Sequence, residues 1–328
     1  MKWGRFTTII LFIILLVGLG IMLYPVISDW WNSMHQSRAV ATYAETVSTI
    51  DRELYERLLA EAEEYNRELS NIGLRWQMSD EELEKYEDML RIDESGIMGY
   101  IQIEKIDCLL PIYHGTDEAV LQIGVGHIEG SSLPVGGAGS HCILSGHRGL
   151  PTARLFTDLD KLVEGDTFVI RTLDEVYTYQ VDQIRIVLPS DLSDLRIVGG
   201  EDYCTLVTCT PYGINTHRML VRGRRIENAK EAKDILVSAD SIRIPNYVVM
   251  VAVGVPMLFL FLIALLFRYR RRPAGPSEEE LFLQIEQMSQ AQEEEQARQE
   301  ISRQSEAEPE APPEPEKKPW EDDSFWDT

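Results

Sequence analysis

Thr205-Leu206-Val207-Thr208-Cys209-Thr210-Pro211-Tyr212-Gly213 decides how this chain is read. Its first half is a β-branched and aliphatic run, the composition of a strand. Pro211 and Gly213 then close the run in a turn. A cysteine at that junction points its sulfur out of the sheet, where it can act as a nucleophile. The opposing reading is a small core hydrophobe, the usual fate of a buried cysteine. The surrounding residues must decide between them.

Two neighbours supply the rest of an acyl-transfer set. His147 stands at the end of another strand-like run, Leu144-Ser145-Gly146-His147-Arg148-Gly149. Arg218 opens the strand after the cysteine, in Asn215-Thr216-His217-Arg218-Met219-Leu220-Val221. A nucleophile, a proton carrier and a cation for the oxyanion are what acyl transfer needs. Alone, the histidine reads as structural and the arginine as a surface ion-pair partner.

Outward from Cys209 the same texture continues. Short β-branched runs at 100–106, 142–144, 167–171, 176–187, 205–208 and 218–226 are separated by Gly, Pro and Asp. Many short strands with turn signals predict a mainly β domain, a barrel or a sandwich. Thr172-Leu173-Asp174-Glu175 predicts a hairpin, and 130–139 a long Gly/Ser/Pro loop. Before the strands, Val40, Tyr43, Val47, Ile50, Leu54 and Leu58 recur at helical spacing. Asn71-Ile72-Gly73 ends that pattern. Ser79 with Glu82 three residues on predicts a capped second helix.

The chain has 328 residues and a formal net charge of -23, concentrated at 51–94 and after residue 277. Such acidity, with no basic stripe interleaved with aromatics, argues against nucleic acid as a partner. Cys108, Cys142, Cys204 and Cys209 match no zinc spacing, and the histidines form no ligand set. No metal or cofactor is expected. His127 and His114 read as structural or groove-lining, and His141 precedes a strand. Strand alternation turns His217 away from Arg218.

Residues 6–27 and 247–267 are uncharged and long enough to span a bilayer. Lys2 and Arg5 precede the first, and Arg268, Arg270, Arg271 and Arg272 follow the second. The positive-inside rule puts both termini in the cytoplasm and the middle outside. The first stretch is long for a signal peptide and lacks a cleavage site directly after it, so it reads as an anchor. Tyr24, Trp30 and Trp31 fall near its outer edge, where aromatics favour the headgroup zone.

These motifs resemble the sortase family. The Thr-Leu-Val-Thr-Cys stretch ending at Cys209 is similar to its nucleophile signature, and Ser-Gly-His ending at His147 to its histidine motif. Arg218 matches its arginine. Gly99-Tyr100-Ile101, Leu110-Pro111-Ile112-Tyr113-His114-Gly115, Gly124-Val125-Gly126-His127, 130–137 and 155–160 resemble class C, the pilus-assembling sortases. So does the second span. The resemblance covers about 90–226.

It implies an eight-stranded sortase-type β-barrel with N-terminal helices and two flanking transmembrane helices. The expected division is a cytoplasmic N-terminus (1–5), an anchor (6–27), an extracytoplasmic helical segment (28–92) and the catalytic barrel (93–228). A linker (229–246), a second span (247–267) and an acidic low-complexity cytoplasmic tail (268–328) follow. It places the protein in the cell membrane of a Gram-positive bacterium.

The implied reaction is cysteine transpeptidation. Cys209 cleaves an LPXTG-like sorting signal between Thr and Gly and forms a thioester, with His147 and Arg218 as its catalytic partners. An amine resolves it, in class C a pilin lysine. The implied partners are secreted pilin or surface proteins with C-terminal sorting signals, an amine acceptor and membrane lipid. The alternatives are attachment of surface proteins to peptidoglycan, a cysteine protease, and a non-enzymatic scaffold acting through the acidic tail. In the last, Trp320 and Trp326 would belong to a docking cluster or to a solvated end.

Two features depart from the pattern or stay open. Class C lids carry an Asp-Pro-aromatic motif, but residues 69–80 contain no Asp-Pro, leaving Trp76 as the candidate plug. Cys142 and Cys204 lie five residues before His147 and Cys209. If their strands are parallel neighbours, as the resemblance implies, they pair as a disulfide or remain two buried thiols.

Overall fold

The computed structural model describes residues 2–228, 253–264 and 278–306. Eight strands close into one barrel: β1 (Ile97–Ile103), β2 (Cys108–His114), β3 (Val125–His127), β4 (Ser140–Ser145), β5 (Thr167–Thr172), β6 (Glu175–Val187), β7 (Asp202–Thr210) and β8 (His217–Ile226). Around the barrel they run β1-β2-β3-β4-β7-β8-β6-β5, and β5 pairs back to β1. The expected eight-stranded barrel is present. Strands β2 and β3 were legible only through the family-like stretches. The strand expected at 100–106 lies three residues earlier, because it begins at Ile97 and residues 104–106 turn into a 3-10 helix.

Two of the eight pairings are parallel, β2 with β3 and β4 with β7. The β4–β7 pair matters most here. A parallel pair needs a long crossover, and the β5–β6 hairpin with its flanking loops provides it. The predicted turn at Leu173-Asp174 forms, with Leu173 in the left-handed region at φ 55°. Strand β7 is buried along nearly its whole length. Its inner residues Cys204 and Leu206 face the main core, and Val207 joins a second cluster with Ile143, Leu195 and Leu220. A strand covered on both faces reads as the unbroken apolar run seen in the sequence.

Three helices precede the barrel: α1 (Lys2–Thr49), α2 (Arg52–Ile72) and α3 (Asp80–Asp88). The single helical face expected from Val40 to Leu58 is in fact two helices. Asp51 breaks it by accepting the Leu54 N–H at 2.9 Å as an N-cap, and apolar spacing alone does not register such a break. Gly73 ends α2 at φ 85°, and the Ser79–Glu82 capping box starts α3. Val40 and Tyr43 are fully buried against the barrel.

Asn66 on α2 ties down the long loop before β4. Its amide donates to Leu133 O and Gly136 O, both at 3.0 Å, and accepts from Leu133 N at 2.7 Å. A short α4 (Glu118–Leu121) precedes β3. The segment Phe12–Thr49 of α1 is long and apolar enough to cross a membrane. Of the second expected span, 247–267, only α5 (Val253–Ala264) is described, an apolar helix too short to cross; the remainder lies outside the described residues. Among the described residues, one span candidate therefore stands where two were expected. The tail contributes α6 (Glu278–Glu306), in the second of two compact units. The linker 229–246 and the aromatic-acidic cluster at 320–326 lie outside the described residues.

Buried His141 makes stability depend on pH. Its Nδ1 donates to Arg196 O at 2.9 Å, so its Nε2 accepts from the Thr205 hydroxyl at 2.7 Å. Burial lowers its pKa from 6.5 to about 4. Below 6.5 the unfolded chain takes up a proton that the folded chain refuses. Stability is thus full above pH 6.5 and lost as pH falls toward 4, by on the order of 3 kcal/mol. Burial shifts His114 in the same direction. Urea titrations at pH 7 and pH 4.5 should show this loss, and His141→Gln should reduce it.

Candidate active site

His147, Cys209 and Arg218 lie at one end of the barrel. In the parallel pair, Ser145 sits opposite Val207. Continuing that register by two residues sets His147 opposite Cys209. On the other side of β7, Cys209 is the direct partner of Arg218 in β8. Residues directly opposite one another project to the same face of a sheet. Cys209 and Arg218 are therefore neighbours on one face at one end of the barrel, and His147 lies at the same end, two residues past the end of β4.

The backbone around His147 is clamped. Gly146 N donates to Val207 O at 3.1 Å, and the Thr208 hydroxyl donates to Gly146 O at 2.8 Å. Phe156 N donates to His147 O at 3.1 Å. A Cβ on Gly146 would stand 2.7 Å from the Phe156 ring, so only glycine allows this approach. Thr208 and Gly146 thus hold the His147 segment against β7, a contact of Thr208 that the strand reading missed.

Of the four cysteines, Cys209 alone is not buried. Burial pushes the Cys108 thiol up to about 12 and the Cys204 thiol well above its ordinary value. A thiol held protonated is a poor nucleophile. Cys142 and Cys204 are register partners across β4 and β7, as parallel pairing demands, and both are free thiols. The two buried thiols, not the disulfide, are what the structure holds.

His147 Nε2 is shielded from solvent and has no hydrogen-bond partner among the described residues. The Glu118 carboxylate stands 3.5 Å away, an ion pair once the ring is protonated. Gln122 and then His147 draw the Glu118 carboxyl below its ordinary range. Glu118 was not singled out from the sequence; a lone glutamate on a four-residue helix carries no local signal. Among the described residues no carboxylate pairs with Arg218, whose guanidinium donates to Asn215 O at 3.2 Å and His217 O at 3.1 Å. The ion-pair reading of Arg218 has no partner there.

The other histidines are used elsewhere. His127 is buried in a network with the Tyr86 hydroxyl, 2.8 Å from Nδ1, and His141 is bonded as described. No group of three His, Cys, Asp or Glu side chains could hold a metal among the described residues.

The segment after α2 crosses the same face. Leu74 packs against the cluster of Ile143, Val207 and Leu220, one strand step from Cys209. Arg75 N donates to Gly130 O at 2.9 Å. Trp76, the expected plug, is 45% exposed, and Leu74 makes the packing contact in its place.

Known proteins share this fold. The sortase domain family matches residues 101–226. The crystal structure of sortase C1 from Streptococcus agalactiae is 56% identical; the match covers 58% of this chain and 100% of that one, with a TM-score of 0.58. The chain belongs to the sortase family. A sortase C structure from Streptococcus pneumoniae is 44% identical over 58% of this sortase and 97% of its own chain, TM-score 0.53. Both of these solved neighbours are sortases C. Among curated relatives, sortase D of Bacillus subtilis is 30% identical over 131 residues, 39% of this chain and 63% of that one. Sortase SrtE1 of Streptomyces coelicolor is 34% identical over 155 residues, 42% of this chain and 44% of that one. This sortase spans less than two thirds of the length of these curated relatives.

Proposed function

We propose that this protein is a cysteine transpeptidase that cleaves an LPXTG-like sorting signal and transfers the acyl part to a pilin lysine. The observation that carries the reading is the gathering at one end of the barrel of Cys209 and Arg218, direct partners on adjacent strands, with His147 two residues past the end of β4, the strand on the other side of β7. The Cys209 thiolate attacks the carbonyl between Thr and Gly. Arg218 presents its guanidinium to the negative oxygen that forms there. His147 gives its proton to the leaving glycine amine, and a thioester remains on Cys209. An amine then attacks the thioester, and His147 takes up its proton.

The lysine acceptor is supported by likeness to sortases C, one of which is described with pilus island 1 and another with pilin substrate specificity. Membrane anchoring is supported by α1. The charges flanking the two apolar stretches support a catalytic domain outside and both termini in the cytoplasm.

The acceptor is tested by incubating the protein with a sorting-signal peptide and two amines in competition, a lysine-bearing pilin peptide and a peptidoglycan-type oligoglycine. An isopeptide product on the lysine is expected. Exclusive transfer to the oligoglycine would reassign the enzyme to cell-wall attachment.

A further inference from the structure

The anchor helix shows which end of the barrel faces the membrane. Helix α1 does not stop at the end of its apolar stretch; it continues to Thr49 along β1 and β2. Its first bonds to the domain are made by Asp29, Asn32 and Gln36. Asp29 Oδ1 accepts from Arg154 N at 2.8 Å, Asn32 Nδ2 donates to Thr152 O at 2.8 Å, and Gln36 Nε2 donates to Ile123 O at 3.1 Å. Thr152 and Arg154 belong to the loop that follows His147, and Ile123 follows α4, which carries Glu118. The last such bonds are at Tyr43, whose hydroxyl donates to Met98 O at 3.0 Å and accepts from Leu173 N at 2.8 Å. Leu173 is in the β5–β6 hairpin, at the opposite end of the barrel.

Helical rise converts these positions into heights. Asp29 lies two residues beyond the expected span, about 3 Å along the axis, whereas Tyr43 lies about 20 Å beyond Asp29. Pro25 is inside the helix. A bend there would tilt the barrel but keep the same end nearest the membrane, since the bonds begin four residues later.

The surface at the near end suits a lipid boundary. The loop between β7 and β8 exposes Tyr212 and Ile214, at 59% and 68%. The Tyr212 ring lies over Gly149, which ties this loop to the one held by α1. Ile123 and Trp31 are also exposed at this end. The carboxylates Asp158 and Asp160 there are paired with Arg154 and Arg148. The far hairpin exposes the carboxylates Asp174 and Glu175 and no large apolar side chain. Amphipathic aromatics and exposed aliphatics belong at the headgroup level.

We infer that the catalytic end of the barrel rests on the outer leaflet, with Tyr212 and Ile214 in contact with phospholipid, so that Cys209 works at the membrane surface. The inference rests on the anchored reading of α1. A substrate chain held at that surface would meet the cleft without being lifted to the far end.

The test uses the full chain, carrying Cys209→Ala, in phosphatidylcholine–phosphatidylglycerol vesicles. Ile214→Cys or Asp174→Cys then provides the one exposed thiol for an environment-sensitive fluorophore. Flotation first establishes anchoring. In floated protein, lipids brominated on their acyl chains should remove about half the emission of the Ile214 probe and leave the Asp174 probe unchanged. Equal emission from both probes in floated protein overturns the inference and leaves Tyr212 and Ile214 to a protein partner. A chain that does not float removes the anchor, and the inference fails with it.

Discussion

Arg218→Lys is expected to lower kcat/KM for a sorting-signal peptide by about 100-fold, with KM little changed. The charge survives this substitution, so a role in bulk electrostatics would be nearly unaffected. What lysine lacks is the planar fork that reaches past the strand edge and offers several N–H donors at once. In the folded protein that fork is held by Asn215 O and His217 O, while no carboxylate among the described residues claims it. It is thus oriented beside Cys209 and left available for charge that develops during the reaction. An interaction made only in the transition state lowers kcat when removed. A change confined to KM would make Arg218 a substrate-binding group. No change would remove it from the site. Steady-state kinetics of peptide cleavage, with circular dichroism to verify folding, separate these outcomes.

The second large effect concerns stability. Asn66→Leu should destabilise the domain by about 3 kcal/mol, because it leaves Leu133 N and Gly136 O without partners and removes one of the two donors to Leu133 O, which keeps Val135 N. Asn66 is only 4% exposed, so water cannot easily replace the amide. For a domain of this size the melting temperature should fall by about 6–12 °C. The loss should appear in thermal unfolding even in a Cys209→Ala background, since Asn66 lies outside the proposed catalytic set. A melting temperature within a degree of the parent would show that the loop holds itself in place.

What the sequence made legible was local chemistry. Cys209 and His147 stood out because each ends a strand-like run against a turn, a pattern contained within nine residues. The Ser79–Glu82 box and Gly73 were legible for the same reason. What depends on distant pairing was not. Nothing local to Ser145 or Val207 says that their strands run parallel, and that pairing sets the end of β4, just before His147, beside the Cys209 end of β7. The break at Asp51 was hidden because Val47, Leu54 and Leu58 keep helical spacing across it. Asn66 resembles any polar residue of an acidic helix until its loop partners, 67 and 70 residues away, are known. Strand β3 has three residues, one of them Gly126, too few for alternation to register. Trp76 drew attention as the large side chain of its loop, yet the smaller Leu74 packs beside the site.

The central claim is that Cys209 carries an acyl group. It is tested most directly by intact mass of the full-length chain in detergent after incubation with an LPXTG-type peptide, beside Cys209→Ala. The account predicts an adduct equal to the peptide's acyl part on the parent protein, lost on adding an amine and absent from the variant. An unmodified parent with a free Cys209 thiol, or an equal adduct on Cys209→Ala, would contradict it.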